Sequence, residues 1–253
     1  MKQYENFAYI YDELMDDVDY ENWVYHIERL ISRSGKKVKN ILELACGTGN
    51  ITIPLAKKGY DIVGVDISED MLSVAYDKSK REGINLVLLE QDMTELEFDL
   101  YDLDCVVCSC DGFNYITSSE DLKSVFKKVN ELLKSGGIFV FDISSHYKIS
   151  EILGNNFMGE SRDNLAYMWE NYYDEENHLI DMELDFFVKI DNQEDEEIFQ
   201  RYRETHQQRA YGNEEIIALL KEANFDEINI FGDFSTDDPK FDSERIFFTA
   251  IKK

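Results

Sequence analysis

The stretch Asn40-Ile-Leu-Glu-Leu-Ala-Cys-Gly-Thr-Gly-Asn50 joins a short apolar run to two closely spaced glycines. The run up to Leu44 predicts a buried strand, and the residues from Ile51 to Lys58 predict a helix directly after it. Glycines at 47 and 49 allow a sharp turn and a close approach of the backbone to a ligand. The amino terminus of the following helix also carries free N–H groups. We therefore expect a ligand at the carboxyl end of this strand.

Strands and helices alternate along the chain beyond this stretch. Apolar runs at 61–65, 86–89, 103–109 and 138–142 are separated by helical segments at 68–80 and 119–133. A helix at 214–223 and strands at 227–231 and 245–251 close the chain. Ser68 and Asn213 are the expected helix caps. The pattern predicts an α/β fold with a seven-stranded, mostly parallel, doubly wound sheet.

Two regions depart from this alternation. The first is an aromatic leader ahead of a helix at 20–31, and it carries Tyr4, Phe7, Tyr9, Tyr11 and Tyr20. The second runs from about residue 167 to 210, where apolar and polar residues alternate with a period of two around turns at 174–177 and 191–195. We therefore predict one domain formed by residues 1–150 and 211–253. Residues 151–210 are predicted to form an inserted antiparallel β meander.

The charge balance limits the classes of partner. The 253 residues carry 53 acidic and 26 basic side chains, a formal net charge of −27. Such a surface repels nucleic-acid phosphates and anionic membranes. The sequence also lacks an apolar stretch of ~18 residues and the apolar core of a signal peptide. We expect a cytoplasmic monomer or homodimer that acts on a small molecule and has no nucleic-acid or membrane partner.

The four cysteines have two alternative interpretations: ligands of a metal site, or buried thiols in a strand. Cys46 stands alone, whereas Cys105, Cys108 and Cys110 cluster within a short apolar run. Zinc sites usually combine two pairs of closely spaced ligands, and the sequence offers one cluster. Small buried thiols are the simpler interpretation, so we expect no metal.

Acidic residues at the ends of three strands indicate which ligand binds at the loop that contains the two glycines. The motif G-x-G-x-x-G is typical of proteins that bind nicotinamide cofactors, but in this sequence Thr52 occupies the position of the third glycine. Glu43 would repel a pyrophosphate and suit a cationic ligand. Asp66 ends the second strand, where an acid accepts hydrogen bonds from ribose hydroxyls. Asp92 follows the third strand and is placed to hold an exocyclic amine, so the three acids together indicate a cationic adenosine compound.

On these residues, the segment from Asn40 to Ile143 resembles the class I methyltransferases that depend on S-adenosylmethionine. Glu43-x-x-x-Gly47-x-Gly49 is similar to the first motif of the family, and Lys134-Ser-Gly-Gly137 matches another landmark. The closing helix and two strands match the antiparallel seventh strand of the fold. The leader, the loop after the fourth strand and the β insert resemble small-molecule methyltransferases in which a helix and a lid close the site.

The resemblance implies S-adenosylmethionine as cofactor, S-adenosylhomocysteine as product and a small polar acceptor, with an amine as one candidate. It also implies a set of cofactor-binding residues: Tyr11, Glu43, Ala45, Gly47, Gly49, Asp66, Ile67, Met71, Asp92, Met93, Cys110, Asp111 and Asn114. The candidate catalytic residues are Tyr11, which would close over the sulfonium from the leader, and His146 and His206, as bases or substrate contacts. Each of these three has an ordinary structural role as its alternative, and Met71 equally fits a helical core.

Two other functions remain open from the sequence. A nicotinamide-dependent oxidoreductase would use the same fold. A non-catalytic protein that only binds the cofactor would carry the same motifs without transferring a methyl group.

Overall fold

The computed structural model describes residues 8–97, 102–190 and 197–253. Tyr4, Phe7 and the turn at 191–195 lie outside the described residues. The helices are α1 (Ala8–Leu14), α2 (Tyr20–Arg33), α3 (Thr52–Lys57), α4 (Glu69–Arg81), α5 (Ser119–Leu132) and α6 (Asn213–Glu222). The strands are β1 (Asn40–Leu44), β2 (Asp61–Asp66), β3 (Val87–Glu90), β4 (Leu103–Cys108), β5 (Leu133–Ser144), β6 (Phe157–Ser161), β7 (Leu165–Asp174), β8 (Leu179–Ile190), β9 (Ile198–Arg209), β10 (Phe225–Gly232) and β11 (Arg245–Lys252).

The larger sheet has seven strands in the order β10-β11-β5-β4-β1-β2-β3. The pairs β1–β2, β1–β4, β2–β3 and β4–β5 are parallel. The last strand, β11, is antiparallel to both of its neighbours, β5 and β10. The predicted fold class is confirmed. The order also brings the carboxyl ends of β1, β2, β4 and β5 to one edge, where ligands of open α/β sheets bind.

Alternate residues of the central strands face two separate hydrophobic cores. Leu42 and Val106 belong to the core under α5 and α6, whereas Ile41 and Val107 belong to the core under α2 and α3. Both faces are therefore buried, which explains why these strands are continuous apolar runs in the sequence. The cysteines follow the same rule: Cys105 and Cys108 are buried in β4 on opposite faces, and all four thiols are free.

The smaller sheet, which we call the lid sheet, is antiparallel in the order β6-β7-β8-β9. It lies between β5 and α6 in the chain, within the range proposed for the insert. The sequence predicted an alternating meander here but missed β6, which is five residues long and contains Gly159. A strand this short that is mostly exposed carries little hydrophobic periodicity.

Three local predictions have different outcomes. The Ser68 cap is confirmed, because its hydroxyl accepts a hydrogen bond from the Met71 backbone N–H at 3.2 Å. The Asn213 cap is wrong, since Gly212 precedes the first turn of α6 without a side-chain cap. The helix predicted at 119–133 ends at Leu132, because Leu133 already pairs with Leu103 of β4, and the landmark at 134–137 belongs to β5. No helix in the described part of the chain is long and apolar enough to cross a membrane.

Candidate active site

A cavity of about 1330 Å³ opens at the carboxyl edge of the larger sheet, between the leader and the lid sheet. It is lined by most of the residues predicted to bind the cofactor: Tyr11, Ala45, Gly47, Asp66, Ile67, Met71, Asp92, Met93, Cys110 and Asp111. Glu43, Gly49 and Asn114 do not line it. Of the candidate catalytic histidines, His206 lines the cavity and His146 does not.

The loop after β1 takes its shape from three residues with left-handed backbone conformation. Ala45, Gly47 and Gly49 have φ values of 53°, 53° and 80°. A Cβ atom at Gly47 would meet nothing within 4 Å, so the left-handed backbone conformation alone, and not a lack of space, favours glycine there. A Cβ atom at Gly49 would approach Ala75 Cβ to 3.2 Å, which places Gly49 against the helices rather than against the cavity.

The Asp66 carboxylate fixes the glycine loop from the end of β2. Its Oδ2 accepts a hydrogen bond from the Gly47 N–H at 2.8 Å, and its Oδ1 accepts one from the Ser68 N–H at 2.9 Å. Burial raises the pKa of Asp66, although these backbone hydrogen bonds oppose the shift. Asp66 thus shapes the loop and presents a hydrogen-bond acceptor at the cavity wall.

Residues after β3 form the neighbouring part of the wall. Asp92 Oδ1 accepts hydrogen bonds from the Thr94 N–H at 2.8 Å and from the Thr94 hydroxyl at 2.7 Å. Ile67 and Met93 also line this part of the cavity, and Ile67 is 57% exposed. Carboxylate and apolar side chains therefore alternate here, an arrangement suited to a flat aromatic base with an exocyclic amine.

Glu43 lies behind the glycine loop. Its carboxyl oxygen Oε2 accepts a hydrogen bond from the Thr52 hydroxyl at 2.6 Å, and the side chain is fully buried. Burial raises the pKa of Glu43 to about 8. The group therefore carries a proton at neutral pH and joins β1 to α3, and its carboxyl does not reach the cavity.

The loop after β4 is held by a buried carboxylate that the sequence analysis missed. Cys110 and Asp111 are both left-handed, with φ of 56° and 55°. Their N–H groups donate to Asp142 Oδ1 and Oδ2 at 2.9 and 3.0 Å. Burial raises the pKa of Asp142 to about 6, an effect that the adjacent Arg245 opposes. Asp142 ends the apolar run of β5, just as Asp66 ends β2. Its position at the end of a buried strand could therefore have identified it from the sequence as a site residue.

Arg245 connects this loop to the rest of the cavity wall. Its guanidinium pairs with Asp142, lies 2.9 Å from Asp111 Oδ1, and stacks 4.8 Å from the centre of the Trp23 ring. No local sequence pattern points to Arg245, because its partners come from three distant segments of the chain.

Asn114 joins elements rather than facing the cavity. It is fully buried, and its Nδ2 donates to the carbonyl oxygens of Ser144 at 3.1 Å and Arg209 at 2.9 Å. Its Oδ1 accepts a hydrogen bond from the Ser144 N–H at 3.0 Å. Asn114 therefore anchors the loop after β4 to β5 and to the lid sheet.

The leader lies between the glycine loop and the lid sheet. Asp12 of α1 accepts hydrogen bonds from the Thr48 hydroxyl at 2.7 Å, Asn50 Nδ2 at 2.9 Å and Lys78 Nζ at 2.6 Å. On its other side, Arg162 donates to the Glu13 carbonyl oxygen at 2.7 Å. The sequence suggested that the leader folds over the site, but it gave no sign that Asp12 makes the contact.

The two candidate histidines have different surroundings. His206 is buried on β9, its ring centre lies 5.9 Å from that of Tyr115, and burial lowers its pKa to about 4. His146 is exposed, and its Nε2 lies 3.4 Å from both His178 Nδ1 and the Tyr173 hydroxyl. Only His206 faces the space in which a substrate would bind.

Comparisons with known proteins show the family to which this fold and sequence belong. The family model described as "Methyltransferase domain" matches residues 41–137. A putative methyltransferase of Geobacillus sp. (strain WCH70) is 35% identical over 98% of this chain and 99% of its own length. The putative methyltransferase YqeM of Bacillus subtilis (strain 168) is 36% identical over 98% and 97%. A crystal structure of an S-adenosylmethionine-dependent methyltransferase from Clostridium acetobutylicum ATCC 824 superposes with a TM-score of 0.87, at 36% identity and 98% coverage of both chains.

The chain therefore belongs to the S-adenosylmethionine-dependent methyltransferases. It is an enzyme of this class, and its cofactor is S-adenosylmethionine. Family membership does not support the oxidoreductase or the non-catalytic alternative. Within the described residues, no group of three or more His, Cys, Asp or Glu side chains is arranged to hold a metal ion.

Proposed function

We propose that this methyltransferase transfers the methyl group to the nitrogen of a small-molecule amine. The observation that carries the proposal is a buried, neutral histidine, His206, in the wall of a strongly acidic cavity. The charge attracts an amine in its protonated form, and the histidine takes the proton that the amine must lose before it can attack.

Acidic residues outnumber basic residues in the wall of the cavity. Among the described lining residues, ten are carboxylates: Asp17, Asp19, Asp66, Asp92, Asp111, Asp121, Glu160, Asp233, Asp242 and Glu244. Three are basic: Lys148, Arg162 and Arg245. A cleft with such an excess of one charge raises the local concentration of cations. Aromatic rings of Tyr11, Tyr20, Trp23 and Tyr115 also line it and favour an ammonium group through their negative faces.

We propose that His206 is the proton acceptor. Burial lowers its pKa to about 4, so the imidazole is neutral at physiological pH, the form that can accept a proton, although the same shift makes it a weaker base than an exposed histidine. Tyr11 is suited to the complementary role, because burial raises the pKa of its phenol and keeps the hydroxyl protonated as a donor. Both side chains line the cavity.

The cofactor supplies a methyl group that is already activated, so alignment with the acceptor provides most of the acceleration. We propose that Asp66 holds the ribose hydroxyls, Asp92 the adenine amine, and Ile67 and Met93 the faces of the adenine. The loop at Cys110 and Asp111 is proposed to hold the amino-acid half. Residues 151–210 are proposed to act as the lid that closes the acceptor side.

Replacement of His206 tests the proposal. We expect His206→Gln to lower methyl transfer to primary and secondary amines by about 100-fold, since general-base catalysis typically contributes this much. The readout is release of S-adenosylhomocysteine, with cofactor affinity measured by calorimetry on the same preparations. His178→Gln, at an exposed position outside the cavity, is the matched control.

Three results would contradict the proposal. The first is unchanged turnover in His206→Gln. The second is an equal loss in His178→Gln. The third is methyl transfer to oxygen or carbon acceptors in preference to every amine tested.

A further inference from the structure

The side chains of β7 and β8 that line the cavity are mostly apolar, whereas β9 contributes the polar side chains Thr205, His206, Gln207 and Gln208. The β7–β8 register pairs Tyr167 with Phe186 and Trp169 with Leu184, and Met182 follows on the same face. All five side chains line the cavity, and apart from the Tyr167 hydroxyl and the Trp169 ring N–H they offer carbon and sulfur atoms. Alternate residues of a strand point to one face, so these side chains form a continuous surface, which we call the lid wall.

Hydroxyl groups of an acceptor would find few partners on the lid wall. The amide nitrogens of two polar side chains beside it already make other contacts. Gln208 Nε2 donates to Asp111 Oδ2 at 3.0 Å, and Asn171 Nδ2 donates to the Leu153 carbonyl oxygen at 3.4 Å. Each acceptor hydroxyl that is desolvated without a partner costs about 1–3 kcal/mol. The lid wall therefore disfavours a polyhydroxylated acceptor.

A carboxylate on the acceptor would also be poorly matched. Arg162 and Arg245, two of the three basic residues around the cavity, each already pair with two carboxylates. Lys148, for which the described residues show no ion pair, lies on the segment after β5 and not on the lid wall. An acceptor carboxylate against the lid wall would thus face carbon atoms and a surplus of negative charge.

We infer that the acceptor is an amine carried on an apolar ring or chain that bears neither a carboxylate nor several hydroxyls. The inference rests on the proposed methylation of nitrogen. The nitrogen lone pair forms the new N–C bond as the C–S bond of the donor breaks. The proton on nitrogen passes to His206. The apolar body of the acceptor packs on the lid wall while its nitrogen points toward the aromatic and acidic side of the cavity.

Two matched pairs of compounds test the inference directly. Cyclohexylamine and glucosamine both carry an amine on a six-membered ring and differ chiefly in hydroxyl groups. 2-Phenylethylamine and phenylalanine differ only in the carboxylate. Calorimetry with enzyme saturated by S-adenosylhomocysteine should give at least about tenfold tighter binding for the first member of each pair, which corresponds to ~1.4 kcal/mol. Equal or tighter binding of glucosamine or phenylalanine would overturn the inference.

A substitution on the lid wall separates its contribution from that of the remaining cavity. Leu184→Gln keeps the size of the side chain and adds hydrogen-bonding groups, so the preference for cyclohexylamine over glucosamine should fall at least about threefold. Glu183→Gln, on the opposite face of the same strand, should leave the preference unchanged. A preference unaltered in Leu184→Gln would show that the lid wall does not contact the acceptor.

Methyl transfer measured on the same compounds distinguishes this inference from the proposed function. If cyclohexylamine binds preferentially but no amine is methylated, nitrogen methylation fails and the specificity of the lid wall stands. If glucosamine is both bound and methylated in preference, nitrogen methylation stands and the inference about the acceptor fails.

Discussion

The carboxyl edge of the larger sheet, which we call the cofactor edge, and the inner face of the lid sheet line one cavity but are built in different ways. At the cofactor edge, buried carboxylates fix backbone loops: Asp66 holds the Gly47 N–H, and Asp142 holds the N–H groups of Cys110 and Asp111. On the lid wall, side chains such as Trp169 and Leu184 form the surface of the cavity themselves. A backbone cradle restricts the edge to one kind of ligand. A wall of side chains, in contrast, can change its specificity by simple substitution.

The largest expected effect comes from the ion pair under the cofactor edge. Arg245→Met leaves the Asp142 carboxylate buried without a cation, which should lower the free energy of unfolding by about 3 kcal/mol or more. Urea denaturation gives the value. The control is Lys253→Met, which breaks an exposed pair and should cost less than about 1 kcal/mol.

A second substitution shows whether the unpaired charge is the cause. Adding Asp142→Asn to Arg245→Met removes the buried charge and should restore part of the loss. If Arg245→Met alone stayed within 1 kcal/mol of the wild type, the cofactor edge would not depend on this pair.

Asp66→Asn should disrupt the hydrogen bonds of the cofactor edge and leave the structure of the lid sheet unchanged. The amide nitrogen cannot accept a hydrogen bond from an N–H group, so either the Gly47 or the Ser68 contact is lost. We expect the affinity for S-adenosylmethionine to fall about 100-fold, ~2.7 kcal/mol, as measured by calorimetry. Asp61→Asn, at the other end of β2, is the control and should bind as the wild type does. Equal affinities in the two variants would remove Asp66 from the binding site.

One buried histidine in each region permits a comparison by pH. Burial lowers the pKa values of His26, under the larger sheet, and His206, on the lid sheet, to about 4. Between pH ~6.5 and about 4 the unfolded chain binds protons that the folded protein does not, so stability is full above pH ~6.5 and falls with pH. From pH 7 to 5 each histidine should account for about 2 kcal/mol of the loss.

Denaturation of histidine variants at pH 7 and pH 5 measures these contributions. His26→Gln and His206→Gln should each lose less stability than the wild type over this interval, whereas His178→Gln, at an exposed position, should behave as the wild type. If only the His26 variant reduced the pH dependence of the free energy of unfolding, the two regions would not unfold together. The lid sheet would then open before the larger sheet unfolds.

The smallest expected effect concerns the leader, which touches both regions. Asp12→Asn removes the negative charge beside Lys78 while keeping an oxygen that accepts from Thr48. Partly exposed ion pairs contribute up to about 1 kcal/mol, so S-adenosylhomocysteine should dissociate about fivefold faster in stopped-flow measurements. Glu13→Gln, whose side chain is exposed, provides the control. An unchanged rate would mean that α1 does not close the cofactor site.

Individual residues show how much of the site a local sequence pattern can predict. Asp66 and Asp92 lie at the cavity because residues that end parallel strands meet at one edge of a sheet. Glu43 obeys the same motif, but its side chain points behind the loop to Thr52. His146 and His206 have equal standing in the sequence, and only the pairing of β9 brings His206 to the cavity.

The fold class of this methyltransferase, and the strand-end residues that line its cavity, could be predicted from the sequence alone. Both follow from short-range features: apolar runs of strand and helix period, and glycines and acids directly after a strand. The contacts between groups far apart in the chain, such as Arg245 with Asp142 and Asp12 with Lys78, became visible only in the folded protein. The tertiary structure also decided which face of the lid sheet covers the cavity. These depend on loop geometry and strand register, because shifting a strand by one residue turns every side chain to the other face.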